Sequence, residues 1–227
     1  LAMRSAVLVT GCDSGIGKEF ALQYAAEGRS VVATFRDLAN SEGFPEGIRC
    51  YLLDVTEPSH FVALKEEIGD LPIDVLLSNA GVGLDIRKLG DLDFSYVHRM
   101  FEVNTAGPLR LVETFVENVA ASRQRRIVSI TSRMGSISLN LSGGHYGYRA
   151  SKAGLNAIMR SLAIDLFPRG ITVASIHPGW VDTAGGGADG GAIAVGDSVA
   201  AMRRTIAGLG NHETGQIFDY RGTPIPC

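Results

Sequence analysis

The junction near the start of this chain constrains its fold more than any other feature. Four apolar residues, Ala6-Val7-Leu8-Val9, pass directly into Thr10-Gly11-Cys12-Asp13-Ser14-Gly15-Ile16-Gly17. A helical pattern through Phe20, Leu22, Ala25 and Ala26 follows, ending near Gly28. An apolar run without polar alternation reads as a strand buried on both faces, which requires layers above and below its sheet.

The same strand-then-helix alternation recurs along the chain. Strands are predicted over Ser30–Phe35, Cys50–Leu53, Ile73–Leu77, Ile127–Ile130, Ile171–Ile176 and Gln216–Asp219. Helices are predicted around Val62, Leu64 and Ile68, over Phe94–Ala121, over Tyr148–Leu166 (bounded by Pro168 and Gly170) and over Ser198–Ala207. Regular alternation implies an α/β fold: a doubly wound parallel sheet of about seven strands with helices on both faces. With 227 residues, 45% of them hydrophobic, and no linker-like stretch, the chain is expected to form one domain over 1–227. Residues 184–195, short and glycine-rich, are read as a substrate-side loop.

In such sheets a ligand sits beyond the carboxyl ends of the strands, and every motif here follows a strand. In the first turn, Gly11 lets the chain reverse, Gly15 lets backbone approach a pyrophosphate, and Gly17 permits close helix packing. Asp13, Ser14 and Ile16 complete a turn whose following helix offers unpaired N–H groups to phosphate. At the end of the second strand, Phe35 and Arg36 stand where a dinucleotide's adenosine ribose is recognised. Arg36 suits a bidentate contact to a 2′-phosphate and favours NADP(H), while Asp37 leaves NAD(H) open. Asp54-Val55 follows the third strand, where the carboxylate can accept from an adenine amino group. Asn79-Ala80-Gly81 follows the fourth and lets backbone pass close to the cofactor.

A second constellation is catalytic. Tyr148 and Lys152, four apart on a helix, share a face. A neighbouring ammonium is expected to lower the phenol's pKa toward neutrality and suit it to general acid–base work. Ser132 can hydrogen-bond a substrate oxygen as negative charge develops there. Asn104 is a mediocre helix former within a predicted helix, expected to kink it and to hold a water leading to Lys152. After the sixth strand, Pro178-Gly179 forms a sharp stop, and Val181 and Thr183 are placed to meet a nicotinamide carboxamide.

The ordered set, Thr10-to-Gly17, Asp54, Asn79-Ala80-Gly81, Asn104, Ser132, Tyr148 with Lys152, and Pro178-Gly179 with Thr183, resembles the short-chain dehydrogenase/reductase family over nearly the whole chain. Gly135-Ser136-Ile137-Ser138, the stretch from Ser142 to Lys152, and His177-Pro178-Gly179-Trp180 resemble the C-factor and sniffer-type carbonyl reductase branch. The resemblance implies a Rossmann fold, an Asn104–Ser132–Tyr148–Lys152 tetrad, B-face hydride transfer between NADP(H) and an aldehyde/ketone–alcohol pair, and a homodimer or homotetramer. It also implies an alternative: a C-factor-type dinucleotide-binding signalling or regulatory protein with little turnover. Ser14 departs from the basic residue common in NADP-binding members, Asp13 brings an unwelcome charge if it faces phosphate, and Cys227 stands where a terminal aromatic is common.

The remaining features exclude other classes. A net charge of −3 gives no reason for a nucleic-acid or membrane partner, and no apolar run reaches the ~20 residues of a bilayer span. Cys12, Cys50 and Cys227 are scattered, which suits a reducing, cytoplasmic setting and argues against disulfides. The five histidines show no metal-ligand spacing, so no metal is expected. Cys12 reads as a small packed residue, His145 and Tyr146 as cleft or helix-start residues, and Arg123, Arg125 and Arg126 as a solvated connection.

Overall fold

A computed structural model describes residues 5–83, 87–183 and 191–227. Seven strands form one sheet: β1 (Ala6–Val9), β2 (Ser30–Phe35), β3 (Ile48–Leu52), β4 (Ile73–Ser78), β5 (Arg126–Ile130), β6 (Thr172–His177) and, last in the chain, β9 (Ile217–Asp219). Their order is β3-β2-β1-β4-β5-β6-β9 and every pairing is parallel. The order reverses between β1 and β4, opening a crevice at their carboxyl ends.

Strand alternation divides the core in two. Ala6 and Leu8 of β1 join Val32, Leu76, Ile127 and Val173 under α2 (Pro58–Ile68), α4 (Gly107–Ala120) and α5 (Tyr146–Leu166). Val7 and Val9 join Val31, Leu77, Val128 and Ala174 under α1 (Gly15–Ala26) and α6 (Val195–Gly208). Successive side chains point to opposite faces, so a strand covered on both sides must be apolar throughout, and all four β1 residues are fully buried.

Two features depart from the expected elements. The stretch 94–121 is not one regular helix: α3 (Phe94–Phe101) passes through a π turn at Glu102–Ala106 into α4. Pro108 has no N–H to give the Asn104 carbonyl, and Gly107 N–H instead reaches back five residues to Glu102. The segment 184–195, read as a substrate-side loop, holds structure at its end: β8 (Ile193–Ala194) pairs in parallel with β7 (Val181–Asp182), which precedes the segment, and Val195 opens α6. Residues 184–190 of that segment lie outside the described residues. The other boundaries move by a few residues, as with β3, which starts at Ile48 rather than Cys50.

The cysteines are free, with Cys12 fully buried. Burial pushes its thiol pKa strongly up, which fits a packed residue and not a thiolate at a helix start. The arginine cluster is less solvated than expected. Arg126 begins β5, is partly buried, and donates to the Ala207 carbonyl at the end of α6. Among the described residues no helix is long and apolar enough to cross a membrane, and no cluster of metal-ligating side chains forms.

Candidate active site

A cleft of about 340 Å³ opens at the switch between β1 and β4. Its floor is the glycine turn. Gly11 (φ +70°) lies against β4's end, where a Cβ would stand 2.8 Å from Ala80 Cα. A Cβ on Gly17 would collide with the Gly11 carbonyl and the Asn79 amide, so only glycine lets α1 enter here. Ser14 precedes α1 without a side-chain cap, leaving the first-turn N–H groups uncapped, as an anion cradle requires. Asp13, Ser14, Gly15 and Ile16 all line the cleft.

The Asn79 amide fastens β4 to this turn, donating to the Thr10 and Gly11 carbonyls at 3.0 and 3.1 Å. The Thr10 hydroxyl accepts from Asn79 and Ala80 N–H at 3.0 and 3.1 Å. Sequence reasoning took Asn79-Ala80-Gly81 as a backbone passage and passed over Thr10, whose place inside the turn motif masked its separate hydrogen-bonding role.

Arg36, Asp54 and Val55 line the other end of the cleft. Asp13 does not simply face phosphate: its carboxylate accepts from Arg36 N–H, Asp37 N–H and the Asn40 amide at 3.0–3.2 Å. Partial burial works to raise its pKa, but these donors outweigh it and hold the group ionised. Asp37 accepts from Ala39 N–H, capping a short turn. The Phe35 ring is fully buried and meets Phe44 edge-on, so its side chain is core and only its backbone is at hand for a cofactor.

Asp54 Oδ1 accepts from the Thr56 N–H and hydroxyl at 2.9 and 2.8 Å, and Arg99 lies 3.6 Å from its other oxygen. Burial works to raise this carboxyl's pKa; the Thr56 bonds and the Arg99 and Arg36 charges bring it below the ordinary value. Arg99 lines the cleft and went unread in sequence, because a helix arginine distant in the chain carries no local motif. Across the mouth, Thr183 approaches the glycine turn, where a Cβ on Gly15 would lie 3.4 Å from it. Pro178 and Gly179 lie on the loop after β6 and Val181 opens β7; the left-handed backbone of Gly179 (φ +84°) favours glycine. None of these three is among the cleft's lining residues.

Gly81 joins the cleft to the second constellation. A Cβ there would lie 3.3 Å from Asn104 Oδ1 and 3.8 Å from Lys152 Nζ. Asn104 is fully buried in the π turn; its Oδ1 accepts from Val82 N–H at 2.9 Å and its Nδ2 donates to the Val82 carbonyl and Ser151 Oγ at 3.2 and 3.1 Å. Ser151 in turn donates to the Tyr148 carbonyl at 2.9 Å. It too was unread in sequence, its signal hidden by the stronger Tyr–Lys pair on either side.

Ser132 precedes a short turn at Arg133–Gly135, accepts from Met134 N–H at 3.1 Å and acts on the Tyr148 phenol from beside it. The expected lowering of the Tyr148 pKa by Lys152 is not found. Burial raises it, and the Ser132 hydroxyl pulls part of the way back. Lys152 Nζ is 6.0 Å from the Tyr148 ring centre and donates to the Ile130 carbonyl at 2.9 Å. Burial lowers the lysine's own pKa to about 8, so its charge is weakly held. Tyr146 is exposed beside the site, and His145 occupies a left-handed conformation (φ 49°) just before α5.

A doubly wound parallel sheet with a glycine cradle at its switch point, and beside it an Asn–Ser–Tyr–Lys group whose Asn104 and Lys152 are buried, defines a Rossmann-type α/β protein. The family model described as "short chain dehydrogenase" matches residues 5–189, and the chain belongs to that family. It is 44% identical to "C-signal" of Myxococcus xanthus over 155 residues, 68% of this chain and 93% of that protein. Its fold is similar to the carbonyl reductase Sniffer of D. melanogaster (TM-score 0.89, 27% identity, covering 99% of this chain and 100% of that one). It is equally similar to the NADPH-bound carbonyl reductase from chicken fatty liver (TM-score 0.88, 27% identity, covering both chains fully).

Proposed function

We propose that this oxidoreductase reduces an aldehyde or ketone to an alcohol, reversibly, with NADP(H) as the hydride carrier. The observation that carries this reading is a cleft lined by Arg36 and Gly81, with Asn104 and Lys152 against Gly81, Tyr148 next to Lys152 and Ser132 next to Tyr148. The NADPH-bound carbonyl reductase among its structural relatives supports the same choice. The residues fit such a cofactor: the close packing at Gly11 and Gly17 excludes a Cβ, the first-turn amides are uncapped, and Arg36 stands at the end of β2.

When bound, NADPH supplies the hydride that reaches the carbonyl carbon. The Ser132 hydroxyl orients and polarises the substrate oxygen. Tyr148 gives that oxygen its phenolic proton. A proton from the Lys152 side then returns to the phenolate, a transfer favoured by the lysine's lowered pKa of about 8. Asn104 keeps the helix open in its π turn and ties α5, through Ser151, to the strand-end loop at Val82. Phe94, Phe101 and Leu109 on α3 and α4, with Ile164 on α5, are exposed and supply apolar surface for a homodimer or homotetramer.

The test is Tyr148→Phe against a panel of carbonyl compounds. Loss of the proton donor should lower kcat by about 10²–10⁴-fold while NADPH binding survives. Retained turnover refutes the assigned chemistry. The C-signal similarity favours a second reading, a dinucleotide-binding signalling protein with little turnover. Tight cofactor binding without turnover on any carbonyl is its signature.

A further inference from the structure

We infer that Asn156 is a positioning residue that holds the Ser132 loop in register with Tyr148 and Lys152. This inference rests on the catalytic reading above. Asn156 sits on α5 one turn beyond Lys152, so both side chains leave the same face of the helix. It is buried, at 8% exposure.

Its amide bonds to both ends of the segment that carries Ser132. Oδ1 accepts from the Thr131 hydroxyl at 2.7 Å, immediately before Ser132. Nδ2 donates to the Gly135 carbonyl at 3.3 Å, at the end of the turn that Ser132 opens. Lys152 adds a third tie through the Ile130 carbonyl at 2.9 Å. The chain from Ile130 to Gly135 is therefore pinned on both flanks to the helix that carries the tyrosine and lysine.

Close packing makes the arrangement specific. A Cβ on Gly135 would lie 2.9 Å from Asn156 Nδ2 and equally near the Lys152 backbone and Cβ. The loop thus rests directly on α5, with no space for a side chain at 135. Only a short amide offers an acceptor to Thr131 and a donor to Gly135 from one rigid group. Aspartate would leave the Gly135 carbonyl without its donor and bury a charge, and leucine would leave both partners unpaired. A helix-packing role alone would call for an apolar residue, as at the neighbouring buried Leu155 and Met159.

The consequence for chemistry runs through Ser132. Its hydroxyl lies by Tyr148 and draws the phenol's pKa back from the value burial imposes. A loop free to shift loosens this contact. Because displacements near 1 Å cost roughly 10²-fold in rate, loss of the clamp should lower kcat about 10–100-fold.

Two variants test this, Asn156→Leu and the smaller change Thr131→Val, which removes one hydroxyl and nearly preserves shape. Three readouts are taken on the full chain: kcat, the NADPH dissociation constant by fluorescence, and the Tyr148 phenol titration. The titration uses carbon-13-labelled tyrosine, assigned by the signal missing in Tyr148→Phe. The expected result is a fall in kcat, near-unchanged NADPH binding, and a Tyr148 titration moved to higher pH in both variants, more in Asn156→Leu. Thr131→Val decides the matter if Asn156→Leu does not fold. An unmoved Tyr148 titration in a folded variant overturns the inference, as does a loss of NADPH affinity equal to the loss of kcat. The titration does not depend on turnover, so it separates this inference from the assigned reaction, whose own failure shows as activity retained in Tyr148→Phe.

Discussion

Lys152 should cost the protein stability at neutral pH and less so as the solution becomes alkaline. Its ammonium is buried, and burial lowers its pKa from 10.5 to about 8. A base whose folded pKa is depressed binds fewer protons in the native than in the unfolded state between those two values. Stability from this group therefore rises with pH across that window, and the full penalty is present below about pH 8. The difference corresponds to about 3 kcal/mol at pH 7 and about 1 kcal/mol at pH 9.5, so the wild type should gain about 2 kcal/mol over that interval from this residue alone. Lys152→Met keeps the stem's packing and removes the titration. Urea unfolding of both proteins at pH 7, 8, 9 and 9.5 gives the difference directly, because other titrating groups cancel. The wild type should improve relative to the variant as pH rises. The absolute offset also contains the bond to the Ile130 carbonyl, about 1–3 kcal/mol when that acceptor is left unpaired, so the slope is the informative quantity. Parallel stability curves would mean that Lys152 titrates near its ordinary value and that burial does not suppress its charge.

Other expectations follow from the same geometry. Arg36→Ala should raise the NADPH dissociation constant about 10–100-fold and leave NADH nearly unchanged, since a charge-assisted contact is worth about 1.5–3 kcal/mol; equal losses for both cofactors in fluorescence titration refute a phosphate-reading role. Asp13→Asn removes an anion whose oxygens bond the Arg36 and Asp37 amides, and should shift preference toward NADPH by roughly fivefold, about 1 kcal/mol; an unchanged ratio means the carboxylate is only a backbone brace. His177 has its pKa lowered to about 4 by burial, with Arg133 adding to the effect and Asp219 opposing it. Its contribution is intact above about pH 6.5 and is lost as pH falls toward 4, so His177→Gln should flatten the acid side of the stability profile by about 3 kcal/mol.

Much of this architecture was legible because its signals are local. Ala6–Val9 and Ser30–Phe35 are apolar runs between helical patterns, and the observed strands cover those same residues. Gly11 and Gly17 are read from spacing, and the close contacts at Ala80, Gly11 and Asn79 supply the reason for both. The missed features depend on partners distant in the chain. The π turn needs Pro108 together with Asn104, whose bonds to Val82 and Ser151 join three separate segments. Asp13 looked repulsive until its oxygens met the amides at the end of β2. Lys152 was expected to bring a full charge to Tyr148, but spacing along a helix does not report burial or the pull of the Ile130 carbonyl. The β7–β8 pair is two residues on each side, too short for any periodicity to announce.

The central claim is that this site moves a hydride to a carbonyl carbon, with Tyr148 supplying the proton. It is tested most directly by turnover with NADPH deuterated on its B face, followed by mass analysis of the alcohol formed. The account predicts one deuterium on the carbinol carbon from the wild type and no detectable product from Tyr148→Phe with NADPH still bound. Unlabelled alcohol, labelled alcohol from Tyr148→Phe at the wild-type rate, or bound NADPH that reduces no carbonyl would contradict it.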